Sequence, residues 1–193
     1  MESNPLQTFG DAMKNVSLWG ASDVNPDDMR NNCVSVALAH LLGYNNVYEL
    51  WAATYGGNLP DEPLPLLGIA DLLDKTGWKF KWEIFFGKGT QSVFEAMLSQ
   101  IQCPGIAIPV LLYGRANNTG HAVNALFRKE PPLFNTKLSE LRDYQRSKDG
   151  TADLDDLKHA VRICAFSLVS SGDKGKEDAL ADRIRKNQVF KGF

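Results

Sequence analysis

The chain has 193 residues, 44% of them hydrophobic and 23% charged, and a formal net charge of -2 from Lys+Arg 21 against Asp+Glu 23. That length is one domain's worth and can bury a core without staples. The near balance of charge leaves no global field to draw nucleic acid or anionic lipid, so nucleic-acid-binding and membrane-surface classes are set aside.

Cys33, Cys103 and Cys164 are odd in number and widely spaced. That is a poor disulfide framework and points to a reducing compartment, the cytoplasm, at the site of action. No CxxC or HxxxH pair is present to support a zinc site, so no metal is expected. The N-terminus carries no basic segment followed by an apolar one, so no Sec signal peptide is expected, and export would need another route. No apolar run approaches the length of a membrane span.

Residues 5–16 read as a short helix, and 21–32, dense in Asp, Asn and Pro, as a loop. From Cys33 to Leu42 the chain runs CVSVALAHLL, apolar on every side, which predicts a buried helix closed by Gly43. Further helices are expected over 46–54 and over LPLLGIADLLDKT before Gly77. WKFKWEIFF (78–86) alternates and is rich in aromatics, the pattern of a strand. Thr90 is the expected cap of the helix SVFEAMLSQI. GIAIPVLLY (105–113) is an apolar run of strand length, whose Pro109 argues for an edge or a bulge. HAVNALF (121–127) and VRICAFSLV (161–169) are further strands. Residues 174–187 read as a polar helix, with Arg183, Arg185 and Lys186 on a solvated face. Helices first and an antiparallel sheet after them is the order of an α+β domain.

Asn31 and Asn32 stand directly before Cys33, and either can cap the helix that follows. Cys33 then falls in the first turn, where unpaired N–H groups and the helix dipole favour a thiolate. Two readings are open for it, a nucleophile or a small buried hydrophobe. Cys103 and Cys164 read as core thiols. Of three histidines, His40 lies seven residues along the same helix from Cys33, about 10 Å up the axis, too far to take the thiol proton. His159 stands in a charged stretch and reads as surface. His121 begins a strand between Gly120 and Ala122, which leaves room for a substrate backbone beside the ring. A structural histidine is the other reading there.

The pair NNCVSVALAHLL and TGHAVNALF resembles the papain-fold toxin and effector domains of the cysteine-peptidase superfamily. The middle of the chain, GIADLLDKTGWKF and QSVFEAML…GIAIPVLLY, is also similar to bacteriocin-leader peptidases. The likeness covers residues of about 30–170 and implies one papain-like domain over 1–193, with a helical tail over 174–193. It further implies thiol attack on an amide of a protein substrate, with Cys33 as nucleophile and His121 as base. Its outcomes are proteolysis, glutamine deamidation or acyl transfer, with no cofactor. An immunity or inhibitor protein would be a second partner.

The third residue can be argued from geometry. If 121–128 and the segment after Pro132 form a hairpin about 130–133, opposed residues sum to about 263, which puts Asp143 beside His121. Asn135 would instead face Arg128, more than about 20 Å along the strand from His121. Asp143-Tyr144-Gln145 also fits the Asp-x-Gln pattern of the resembling domains. A helical reading of LSELRDYQRS, or a bulge, would shift the count and move the role to Asn135. Papain-like enzymes often place a glutamine six residues before the nucleophile to donate to the oxyanion. Here that residue is Asp27, a carboxylate that only accepts when ionised. Asn31, Asn32 and the Cys33 amide are the substitutes. The expectation is a cysteine-dependent amide hydrolase with a Cys33–His121–Asp143 triad. The alternatives are an acyl transferase using the same triad and a non-catalytic interaction module of the same fold.

Overall fold

The computed structural model describes residues 24–57, 61–101, 106–107, 109–130 and 135–189. The segment read as an N-terminal helix and Cys103 lie outside them.

Among the described residues three helices come first, α1 (Cys33–Leu41), α2 (Val47–Tyr55) and α3 (Leu66–Lys75). Strand β1 (Lys79–Phe85) and helix α4 (Val93–Gln100) follow. Then come β2 (Ile106–Ala107), β3 (Pro109–Gly114), β4 (Gly120–Glu130) and β5 (Asn135–Arg142). A short α5 (Leu154–Lys158), β6 (Arg162–Ser170) and α6 (Lys174–Val189) close the order. The fold is mixed helix and strand, with one antiparallel sheet ordered β1-β6-β3-β4-β5; β2 lies in line with β3 along β4.

Local chemistry sets several boundaries. Asn46 caps α2 by accepting from the Glu49 amide, and Gly56 ends that helix at φ 71. The cap of α4 is Ser92, in a reciprocal box with Glu95, so the expectation for Thr90 is corrected. Pro109 is not at a sheet edge, because β3 is flanked by β4 and β6. It opens the strand instead, where its missing N–H costs the ladder least.

The strands that read as continuous apolar runs do so because both faces of the sheet are covered. Ala122 and Leu126 of β4, Val110 of β3 and Phe166 of β6 pack with α1, α2 and α3 around Leu38, Leu50 and Trp51. The alternate residues Val123, Ala125, Phe127, Leu111 and Ala165 pack on the other face with Met97 of α4 and Leu157 of α5. Each buried Leu or Phe contributes about 1.5–3 kcal/mol relative to exposure. Since α1 is buried everywhere except at Cys33, it is apolar all round, and the nucleophile candidate stands at its one open end.

Two irregularities place the site. Phe127 pairs with Leu138 but Leu126 pairs with Glu140, so Ser139 is the extra residue of a bulge in β5. Pairing of β5 with β4 then stops at Asn124–Arg142, and among the described residues the start of β4 has no strand on that side. Opposed residue numbers sum to 265 on the hairpin side of the bulge and 266 beyond it, not to about 263. Among the described residues no helix is long and apolar enough to cross a membrane.

Candidate active site

Cys33 is the first residue of α1, and the Ala122 amide of β4 is directed at its sulfur together with the N–H groups of Cys33 and Val34. His121 and Cys33 line one open cleft of about 1410 Å³. The chain leaves β5 at Arg142 and turns, and that turn brings Asp143 to His121, with Oδ2 2.6 Å from Nε2. A carboxylate at Nε2 takes the Nε2 proton as its hydrogen bond, which leaves Nδ1 as the bare, proton-accepting nitrogen.

The carboxylate is held on its other side as well. Its Oδ1 accepts from the amides of Gln145 and Arg146, both at 3.2 Å, and Arg146 Nε stands 3.7 Å from Oδ2. These groups offset the cost of burying a charge. The backbone of the turn is tied down by the Asp143 amide, which donates to the Gly150 carbonyl at 3.1 Å. Tyr144 packs against His40 of α1, ring centroids 4.6 Å apart, so the turn is fixed to the helix that carries Cys33. His40 is fully buried and is not among the residues lining the cleft. His159 is exposed at the end of α5.

Asn32 holds the N-cap position but its side chain caps nothing. Its Nδ2 donates to Asn25 Oδ1 at 3.0 Å, and its Oδ1 accepts from Gln145 Nε2 at 3.0 Å. Asn25 in turn donates to the Met29 carbonyl at 2.8 Å. This buried relay joins the loop before α1 to the turn after β5, and it puts Gln145 at the cleft wall. Asn31 is exposed; its amide and side chain bond Asp61 at 2.9 and 3.2 Å. Asp27 accepts from the Tyr48 hydroxyl and is not among the residues lining the cleft. Asn135 pairs with Glu130 at the far end of the hairpin.

The expected acidic thiol is not what the surroundings favour at rest. Burial pushes the Cys33 thiol up; the three N–H groups act against it, and the Asp143 charge adds to it. Behind His121 lies Tyr113, edge-on at 5.7 Å between centroids, with its hydroxyl 2.9 Å from Asp156. Asp156 is held well below the usual carboxylate range, first by the Arg115 guanidinium, whose Nη2 is 2.5 Å away. Burial and that carboxylate push the Tyr113 hydroxyl up, so it stays a donor.

Sequence reasoning missed Asn25, the relay role of Gln145, and Asn124. Asn124 is 1% exposed, and its Nδ2 donates to the Ala37 carbonyl of α1 at 2.9 Å, pinning β4 to the helix. Its signal was available as one amide inside the apolar strand HAVNALF. The Asn25–Asn32–Gln145 relay gave no such signal, because its members are about 113–120 residues apart or lie in a loop that reads as solvated. Among the described residues no three His, Cys, Asp or Glu side chains are grouped to hold a metal ion. No protein-family model, curated protein or solved structure compared with the chain matches it.

Proposed function

We propose that the chain is a cysteine-dependent amide hydrolase of papain-like design acting on a polypeptide, with Cys33 as nucleophile, His121 as base and Asp143 as the residue that orients the base. The observation that carries the reading is the buried His121–Asp143 contact, whose imidazole lines the same cleft as Cys33. A nucleophile candidate at a helix start, packed on an antiparallel sheet, supports the papain-like part.

In the proposed reaction His121 Nδ1 takes the thiol proton, and the thiolate attacks the amide carbonyl. The tetrahedral oxyanion is received by the N–H groups at the start of α1 and by the second amide hydrogen of Gln145. The C–N bond breaks as His121 returns the proton to the leaving nitrogen. Water, deprotonated by His121, then attacks the thioester and frees the acid and the thiol. Asp143 holds the tautomer throughout. The Asn-Cys, Gly-His and Asp-x-Gln motifs further support a toxin or effector role, with deamidation or cleavage of a target protein and an immunity protein as partner.

The test is labelling of Cys33 by a thiol-directed activity probe in wild type, His121→Ala and Asp143→Ala. Labelling at neutral pH that depends on both partners is the expected result. Mass spectrometry of a treated target then separates chain cleavage from conversion of an amide to an acid. A second reading, a non-catalytic interaction module, is favoured by the raised thiol of Cys33. Labelling indifferent to His121 would select it.

A further inference from the structure

Directly paired residues in a sheet share a face, and positions two apart along each strand share it too. On the face that carries α1, two neighbouring rows therefore cross the strands beside Cys33. One runs Ala122–Leu112–Cys164–Ile84 and is wholly apolar. The next runs Gly120–Gly114–Arg162. Two of its three positions carry no side chain, and the third is a cation.

Arg162 is exposed and lies alongside the space that Gly114 leaves. A Cβ added at Gly114 would come 3.7 Å from its Nε and 3.8 Å from its Cβ. Unlike Arg115 and Arg146, which share Asp156, Arg162 has no acidic partner among the described residues. Leu112, Cys164, Ile84, Gly120, Gly114 and Arg162 all line the cleft that holds Cys33 and His121. An unpaired guanidinium on a stripped floor, flanked by an apolar row, is a receptor for a carboxylate.

We propose that Arg162 is a specificity-determining residue that binds an acidic side chain of the substrate polypeptide. Two strand spacings separate Arg162 from Gly120, roughly 10 Å, which is about three residues of extended chain. Cys33 meets the amide of Ala122, two residues along β4 from Gly120, so the acidic residue stands about two to four residues from the attacked amide. The substrate class is an extended segment with an acidic residue at that offset, and Gly114 and Gly120 give its backbone a path across the floor. This inference rests on the hydrolase reading of the same cleft.

The test needs no known substrate. Alkylation rates at Cys33 are measured with N-iodoacetyl-glutamic acid α-amide and N-iodoacetyl-glutamine α-amide, each made with zero, one and two glycines as spacer. The pairs match in size and differ by one charge. For at least one spacer the acidic probe should react about threefold or more faster at low salt, the scale of one solvent-facing ion pair. The preference should shrink as salt screens it. Arg162→Gln should abolish it and Arg162→Lys should keep part of it. Each rate is divided by that of plain iodoacetamide with the same protein, so that the comparison reads the probe's charge alone. Arg30 is a second exposed arginine lining the cleft. Absence of a preference at every spacer, or its loss in Arg30→Gln and not in Arg162→Gln, would overturn the proposal while leaving the hydrolase reading intact. Iodoacetamide reactivity unaffected by His121→Ala would overturn that reading and this inference together.

Discussion

The His121 and Asp143 side chains, 4% and 3% exposed, meet through Nε2 and Oδ2 where β5 has already left the sheet. A buried contact of this kind fixes which ring nitrogen can accept a proton. Asp143→Ala should lower His121-dependent turnover or Cys33 labelling by about a hundredfold or more. Asn135→Ala, nine residues and roughly 30 Å along the hairpin, should change neither. Equal losses in the two variants would show that the orienting role does not belong to Asp143.

The thiols set an alkaline limit on stability. Burial pushes Cys33 up, and burial pushes Cys164 up to about 11. The folded chain therefore holds thiol protons that the unfolded chain releases near pH 8.5, roughly. Their stabilisation is fully present below the unfolded value and is lost as pH rises through the folded one. Urea midpoints should fall between about pH 8.5 and about 11, and Cys164→Ala should flatten that fall. The same burial predicts that His121→Ala moves the inflection of Cys33 alkylation above the free-thiol range, about 8.5. A lower inflection in that variant would mean the helix start alone makes the thiolate.

Asn124 should behave as a strut between sheet and helix. Asn124→Ala leaves the Ala37 carbonyl without this donor and opens a small cavity, and it should cost about 1–3 kcal/mol in urea unfolding. Because the same bond sets α1 against β4, Cys33 labelling should also slow. Unchanged stability would place Asn124 outside the packing that holds the site.

Gly150 supports Asp143 from the other end of its turn. Its φ of 76 strains any residue with a side chain, and an added Cβ would lie 2.7 Å from the Tyr144 ring. Gly150→Ala should destabilise by about 1–3 kcal/mol and reduce labelling in step, since Tyr144 is next to Asp143. Circular dichroism melts beside the labelling rate would check the pairing of the two effects.

What could be read in the sequence was what depends on local periodicity and on simple counting. The buried α1 follows from CVSVALAHLL, and the strands around His121 and Cys164 follow from apolar runs of strand length. The hairpin count brought Asp143 to His121 even though the true sum is two or three higher. The error did not matter because Asp143 reaches the ring from a turn and not from a ladder position. The sequence offers either Asn31 or Asn32 as the cap of α1, and Asn32 holds that position without capping. A long-range partner, Gln145, took its side chain instead, and no local pattern encodes that. The raised Cys33 thiol was also hidden, since the packing of Leu112 and Cys164 beside the helix start is set by strand order.

The extra residue Ser139 gives β5 a tolerance for deletion. Removing it would let Leu138 and Glu140 become consecutive partners of Phe127 and Leu126 without changing any other pairing. The segment from Glu140 to Asp143 would keep its alignment with β4, losing only the local bend. A deletion at Leu141 or Arg142 could likewise be absorbed by drawing Ser139 into the ladder, at the expense of turning the intervening side chains to the other face. The strand thus carries one residue of slack between the far end of the hairpin and its acid, and a change of length on one side need not propagate to the other.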